Sequence, residues 1–204
     1  MKRVFDLTLA ALGLLILGPL FGLVAILIKL DSSGPVFFRQ ERIGQGFRPF
    51  TIYKLRTMIH DAHTQGSLVT AGKDPRITRL GAVLRRTKID ELPQLINVLK
   101  GDMSFVGPRP EVRKYAEMFR RDYEEILRIK PGITDLASLK YRHETELLGQ
   151  SANPEEQYLT EILPDKIKLA KEYLTIRSLW VDIRVITKTI LNCLATAGTN
   201  DRTV

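Results

Sequence analysis

From Leu7 to Ile28 the chain carries no charge and almost no polar side chain, whereas everything after Lys29 mixes apolar and charged positions as a water-facing domain does. As one helix the uncharged run would extend roughly 33 Å, enough to cross a hydrocarbon core of about 30 Å. Beyond it, Asp31–Pro35 reads as a turn and Val36–Phe38 as a short strand. Phe50–Met58 alternates, which places Lys54 and Arg56 side by side on one face of a strand. The stretch from His60 to Pro75 is polar and rich in Gly, Thr and Ser. Leu80–Leu84 and Leu92–Leu99 read as helices, the second stopped by Gly101. Met103–Val106 is a short apolar run, Glu111–Ile129 a charged amphipathic helix ended by Pro131-Gly132, and Pro164–Ala195 helical around Trp180. With no internal repeat, the pattern predicts a mostly helical α+β chain with a small β element. Residues 1–30 form a membrane segment and 31–204 one domain.

The apolar run is too long for a cleaved signal peptide, and no small-residue cleavage site follows it. Gly18-Pro19 lies at its middle, where proline removes an amide donor and favours a bend. Both flanks are basic: Lys2 and Arg3 before it, Lys29, Arg39, Arg42 and Arg48 after it. The positive-inside tendency holds both ends on one side. A bent, re-entrant helix meets both conditions, and a spanning helix with a tolerated proline remains open.

Charge narrows the partners. Lys plus Arg number 31 against 23 acidic residues, a formal net charge of +8, which favours anionic lipid, nucleic acid or phosphorylated substrates. No helix-turn-helix or aromatic-interleaved basic stretch accompanies that charge, so nucleic acid is not an expected partner. The single Cys193 excludes an intrachain disulfide framework, and His60, His63 and His143 have no zinc-site spacing.

The densest basic cluster is Lys73, Arg76, Arg79, Arg85, Arg86 and Lys88, followed at once by Asp90-Glu91 and Leu92-Pro93. Two readings compete for the carboxylates. As helix caps they cover free amides and complement the dipole. As a site, paired carboxylates among arginines bind magnesium and a diphosphate together, because magnesium takes one or two carboxylates plus phosphate oxygens. Cations nearby also favour the ionised, nucleophilic carboxylate. Arg109, between Pro108 and Pro110, is either a rigidly presented phosphate fork or a solvated turn residue. No Walker loop or Gly-rich dinucleotide fingerprint is present.

At these residues the chain resembles the bacterial sugar transferases, the monotopic phosphoglycosyl transferases, over nearly its whole length. The resemblance is carried by Lys2–Asp6, Ser33–Phe37, Gln40–Gly44, Tyr53–Met58 and Asp74–Thr78. It is strongest in Asp90-Glu91-Leu92-Pro93-Gln94-Leu95, Asn97–Ser104 and Val106-Gly107-Pro108-Arg109-Pro110. It implies an Asp90–Glu91 catalytic dyad. Asp90 attacks the sugar-bearing phosphate of a UDP-sugar, UMP leaves, and polyprenyl phosphate takes the phosphosugar. Glu91 helps to hold Mg2+. Lys54, Arg85 and Arg109 fall on phosphate-contacting positions, and Arg56 and Arg76, in matched stretches beside them, are expected to bind substrate phosphate as well. Asp182 falls on a late acidic position near the active site. The resemblance also implies the re-entrant helix bent at Gly18-Pro19, interfacial amphipathic helices, membrane lipid as a partner and a place on the cytoplasmic face of the bacterial inner membrane. The reaction it implies is the first membrane step of O-antigen, capsule, exopolysaccharide or glycoprotein glycan synthesis, and it is compatible with a homodimer. A non-catalytic, lipid-binding scaffold is the competing class.

One departure stands out. The family's usual Pro-Gly-Ile-Thr-Gly followed by Ala-Gln is here Pro131-Gly132-Ile133-Thr134-Asp135-Leu136-Ala137-Ser138. Asp135 and Ser138 therefore replace a flexible glycine and an amide, at a segment expected to border the sugar pocket.

Overall fold

A computed structural model describes residues 1–60, 62, 69–72 and 74–198. Lys73 of the basic cluster and His63 lie outside the described residues. The apolar run forms one helix, α1 (Lys2–Asp31), whose helical backbone continues through Gly18-Pro19. At 1.5 Å per residue it is roughly 45 Å long.

α1 rests one face on the remainder of the protein and leaves the other bare. Asp6, Ala10, Val24 and Ile28 are buried, and Leu95 packs closely against Gly13. Leu12, Leu15, Ile16, Leu23, Ile26, Leu27 and Leu30 are exposed. Polar side chains fasten both ends. Lys2 Nζ donates to Val106 O (3.1 Å), to the Tyr173 hydroxyl (3.3 Å) and to Asp182. Arg3 donates to Val98 O (2.6 Å) and Leu99 O (3.1 Å), while Asp6 accepts from Ser104 Oγ (2.9 Å) and the Phe105 amide (3.3 Å). At the far end, Arg56 donates to Ile28 O (3.2 Å), which also accepts the Ser32 amide, and to Ser32 O (2.7 Å).

After α1 comes an antiparallel hairpin, β1 (Phe37–Ile43) and β2 (Pro49–Leu55), with Phe37 opposite Leu55 and Ile43 opposite Pro49. Gly46, in the left-handed region at φ 66°, turns the chain between them. β2 ends at Leu55. Arg56 therefore leaves the strand and reaches α1, while Lys54 turns to the carboxylates; the two do not share a face as the alternation predicts. α2 (Arg79–Thr87) and α3 (Gln94–Lys100) follow, and Gly101 at φ 91° ends α3 as expected. Asn97 of α3 accepts from the Tyr53 amide (3.1 Å) and donates to Thr51 O (2.7 Å), docking α3 on the hairpin.

A second, parallel pair joins β3 (Ser104–Val106) to β4 (Gly132–Thr134). Here two glycines touch: a Cβ on Gly132 would stand 2.2 Å from the Gly107 amide nitrogen, and one on Gly107 2.4 Å from Lys130 O. Between these strands the sequence predicts one long helix. The structure has two, α4 (Arg113–Met118) and α5 (Arg120–Ile126), interrupted at Phe119 (φ −113°, ψ 37°). Both pieces bury their apolar residues in one cluster, Tyr115 and Ala116 from α4 and Tyr123 and Ile126 from α5, so tertiary packing overrides the continuous periodicity.

The short α6 (Leu136–Lys140), α7 (Glu144–Gly149) and α8 (Pro154–Gln157) precede a π-helical turn at Tyr158–Ile162. The helical tail also divides, into α9 (Leu163–Ile176) and α10 (Leu179–Gly198). Ser178 causes the break as a capping residue: its hydroxyl accepts from the Val181 amide (3.3 Å) and its carbonyl from the Asp182 amide (3.0 Å). Trp180, Ile190, Leu191 and Leu194 of α10 are exposed, a second bare apolar surface.

The glycine contact yields a paired prediction. Gly132→Ala forces backbone apart and is expected to lower the thermal midpoint by roughly 5–10 °C. Gly18→Ala, with nothing within 4 Å of its Cβ position, is expected to cause no loss. Thermal unfolding of both variants in detergent checks this.

Candidate active site

Asp90 and Glu91 sit on a 3-10 turn, Ile89–Glu91, between α2 and α3. Lys88 enters the left-handed region (φ 59°) and reverses the chain ahead of it. Pro93 begins α3 without a side-chain capping bond. Glu91 is not a cap either, because both its oxygens are taken elsewhere. Oε1 accepts from Lys54 Nζ (2.8 Å) and Arg109 Nη2 (2.5 Å), and Oε2 accepts from Arg109 Nη1 (3.2 Å). Lys54 comes from the end of β2, and Arg109 from the turn after β3. Asp90 is buried, and its Oδ1 has no hydrogen-bond partner.

The adjacent carboxylates are driven apart. Burial, and then the charge of Glu91, push Asp90 up to about 6, against the pull of Lys54, Lys88 and Arg85. Burial would raise Glu91 as well, but Arg109 and Lys54 outweigh it and hold that carboxylate well below its usual range. Lys54 is lowered by burial, with Glu91 opposing. Arg109 is raised by the attraction of Glu91. At neutral pH the pair is thus one fully neutralised anion beside one poorly compensated anion.

Arg85 of α2 completes the cationic wall; its Nε donates to Thr57 Oγ1 (2.8 Å) and its charge acts on Asp90. Arg56, Arg76 and Asp182 are engaged elsewhere. Arg56 holds the end of α1. Arg76 grips Asp74, Nη2 to Oδ2 at 2.6 Å and Nε to Oδ1 at 2.9 Å, and donates to Ala62 O at 3.2 Å. Asp182 is buried against Lys2 and the Tyr173 hydroxyl. Arg56 and Arg76 still border the cavity in front of the dyad, and Asp182 does not.

That cavity measures about 2170 Å³, beyond the roughly 300–1,000 Å³ of a single small-molecule site. Leu9, Gly13 and Leu17 of α1 line one side of it, so it runs from the charged dyad to the apolar helix. Ser138, Arg142 and Cys193 line another part. Asp135, on the departing segment, caps α6 through the Ser138 amide (2.6 Å) and accepts from the Arg109 amide (3.2 Å). Its position three residues before Ser138 at a helix start is a capping pattern visible in the sequence. The contact with Arg109 has no sequence signal, nor do the touching Gly107 and Gly132 that place the Arg109 turn.

For magnesium, the donor set is chemically apt. The unpartnered Asp90 oxygen and the neighbouring Glu91 are hard oxygen donors, and magnesium takes one or two carboxylates with water and phosphate for the rest. Among the described residues no group of three or more acidic, His or Cys side chains forms a full protein cage.

A carboxylate pair, Asp90 buried and Glu91 partly so, faced by one lysine and two arginines and open to a long apolar helix, defines an anion-handling site at the edge of an apolar surface. The bacterial sugar transferase family matches residues 1–196, and the chain belongs to that family. It is 38% identical over 204 residues to a UDP-N-acetylgalactosamine-undecaprenyl-phosphate N-acetylgalactosaminephosphotransferase of Aeromonas hydrophila, covering 97% of this chain and 44% of that protein. Similarity to a UDP-glucose:undecaprenyl-phosphate glucose-1-phosphate transferase of Escherichia coli is 37% identity over 194 residues, 93% of this chain and 39% of the other. A Caulobacter vibrioides protein of the same description is 39% identical over 200 residues, 96% of this chain and 70% of its own length. The chain thus spans less than half of the first two relatives.

The raised Asp90 predicts a stability signature. Between its ordinary value of 3.8 and about 6, the folded protein binds a proton that the unfolded chain has released. Stability present below that window is lost as pH rises through it. Asp90→Asn is therefore expected to stabilise the magnesium-free protein by up to roughly 3 kcal/mol near pH 7.5, the gain vanishing near pH 4. Urea unfolding in EDTA at the two pH values checks this.

Proposed function

We propose that the chain transfers a sugar 1-phosphate from a UDP-sugar to polyprenyl phosphate through a covalent intermediate on Asp90. The observation that carries this reading is the Asp90 carboxylate, buried with one unpartnered oxygen beside a Glu91 already neutralised by Lys54 and Arg109. An enclosed anion without a partner is a reactive one, and nucleophilic catalysis needs such a group. A carboxylate oxygen of Asp90 attacks the sugar-bearing phosphorus, and the bond to the bridging oxygen breaks. That oxygen leaves with UMP. An oxygen of the lipid phosphate then attacks the same phosphorus, the acyl phosphate bond breaks, and Asp90 returns as a carboxylate. Lys54, Arg85 and Arg109 offset the charge gathering on phosphate oxygens and on UMP. Glu91 would hold Mg2+, which would supply Lewis-acid polarisation of the diphosphate.

One substrate is soluble and the other lipid, and the anatomy suits both. The two halves of α1 lie on the same body: Ala10 against Leu95 and Val98, Val24 and Ile28 against Leu55 and Leu84. A helix crossing upright would carry that body, with charged residues such as Lys54 beside Leu55 and Arg85 beside Leu84, into the hydrocarbon, at a cost of several kcal/mol per charge. That supports a monotopic placement on the cytoplasmic face of the bacterial inner membrane. In it α1 is a re-entrant helix dipping its bare face into one leaflet with Pro19 relieving the bend, and α10 lies at the interface. A lipid-binding scaffold would use these apolar faces but has no use for the enclosed dyad. The relatives' names carry different sugars, N-acetylgalactosamine and glucose, so no sugar is taken over from them.

Covalent capture tests the reading. With magnesium, a panel of UDP-sugars and no lipid acceptor, wild type is expected to release about one UMP per active chain and to gain one phosphosugar by intact mass. Asp90→Asn is expected to do neither. An adduct that persists in the variant overturns Asp90 as nucleophile.

A further inference from the structure

Pro108 and Pro110 have no N–H, so Arg109 carries the one backbone donor of the Pro108–Pro110 turn. That donor goes to Asp135 Oδ2 at 3.2 Å, while Asp135 Oδ1 takes the Ser138 amide at 2.6 Å. The approach is built by backbone: Gly107 N donates to Thr134 O (3.2 Å) and Gly132 N to Pro108 O (3.0 Å), which lays the start of α6 against the turn. Asp135 is only 3% exposed, so water does not compete for these bonds. From the same residue whose backbone is held, the guanidinium forks onto both oxygens of Glu91. A fork of this kind is directional, and a small rotation of its backbone moves the tip away from one oxygen.

We propose that Asp135 is a positioning residue of the transfer reaction: by holding the Arg109 amide it aims the guanidinium at Glu91 and keeps that carboxylate in place beside Asp90. This assignment rests on the reaction proposed above. It differs from a sugar contact, because both carboxylate oxygens already serve the protein's own amides. It also differs from simple capping of α6, which needs only one of them.

Asp135→Asn separates these roles. Asparagine caps helices about as well as aspartate, so the variant is expected to fold with a thermal midpoint near that of wild type. Its single carbonyl oxygen serves one amide where the carboxylate served two. Turnover, read as UMP release from the UDP-sugar that wild type uses best, is expected to fall about tenfold. In an Arg109→Lys background, which keeps the amide but lacks the fork, the same change is expected to cost less than about twofold, the non-additivity of residues acting through one another. Hydrogen exchange of the substrate-free protein gives a readout independent of the reaction. The Arg109 amide is the sole exchangeable backbone site of its turn, and Asp135→Asn is expected to speed its exchange at least tenfold. Unchanged turnover, equal losses in both backgrounds, or an unchanged Arg109 exchange rate each overturn the proposal. If wild type releases no UMP from any UDP-sugar, the reaction reading fails by itself, and the exchange rate still decides whether Asp135 holds Arg109.

Discussion

Neutralising the largely enclosed Glu91 carboxylate is the constraint around which the molecule is arranged. An enclosed anion needs cations at hydrogen-bond distance, and removing one partner from such a group costs about 3–5 kcal/mol. Lys54 and Arg109 meet that need from opposite directions, one from the end of the hairpin and one from the turn after β3. The hairpin, the parallel pair and the 3-10 turn must therefore converge on one point. Touching glycines at Gly107 and Gly132, the Asn97 clamp on β2 and the left-handed Lys88 are the local means. The same arithmetic leaves Asp90 uncompensated, since the nearest cations are committed to its neighbour. A stable acid and a reactive acid are thus made from adjacent residues by distributing cations unevenly between them.

α1 shows a complementary economy. Its middle is held by small or apolar side chains, Ala10, Gly13, Val24 and Ile28, and only its ends by polar anchors. Fastening the ends and leaving one flank bare gives a helix that belongs to the folded body and to an apolar environment at once. Because Leu9, Gly13 and Leu17 also wall the cavity, the apolar surface of α1 reaches the dyad's own chamber.

Much of this was legible in the sequence, for identifiable reasons. The uncharged run, the alternation of β2, the stripe on α3 and its Gly101 stop are local patterns, and local patterns set local structure. The clustering of Asp90 and Glu91 with Lys54, Arg85 and Arg109 was legible through the family resemblance rather than through spacing. Long-range pairings left no trace. Arg56 belongs by alternation with Lys54, yet its strand ends one residue earlier and its guanidinium caps a helix 24 positions away. The split at Phe119 follows from a shared apolar cluster that periodicity along one segment cannot encode.

The bond between Lys2 and Asp182 links positions 180 residues apart. During synthesis α1 emerges long before α10 exists, so for most of that time its anchoring lysine has no acid and its buried face has no floor. Apolar surface exposed in that way favours aggregation until the rest of the fold covers it. Residues of both α1 and α10 wall the cavity beside the dyad, so the chamber is complete only when the later helix has returned to the earlier one.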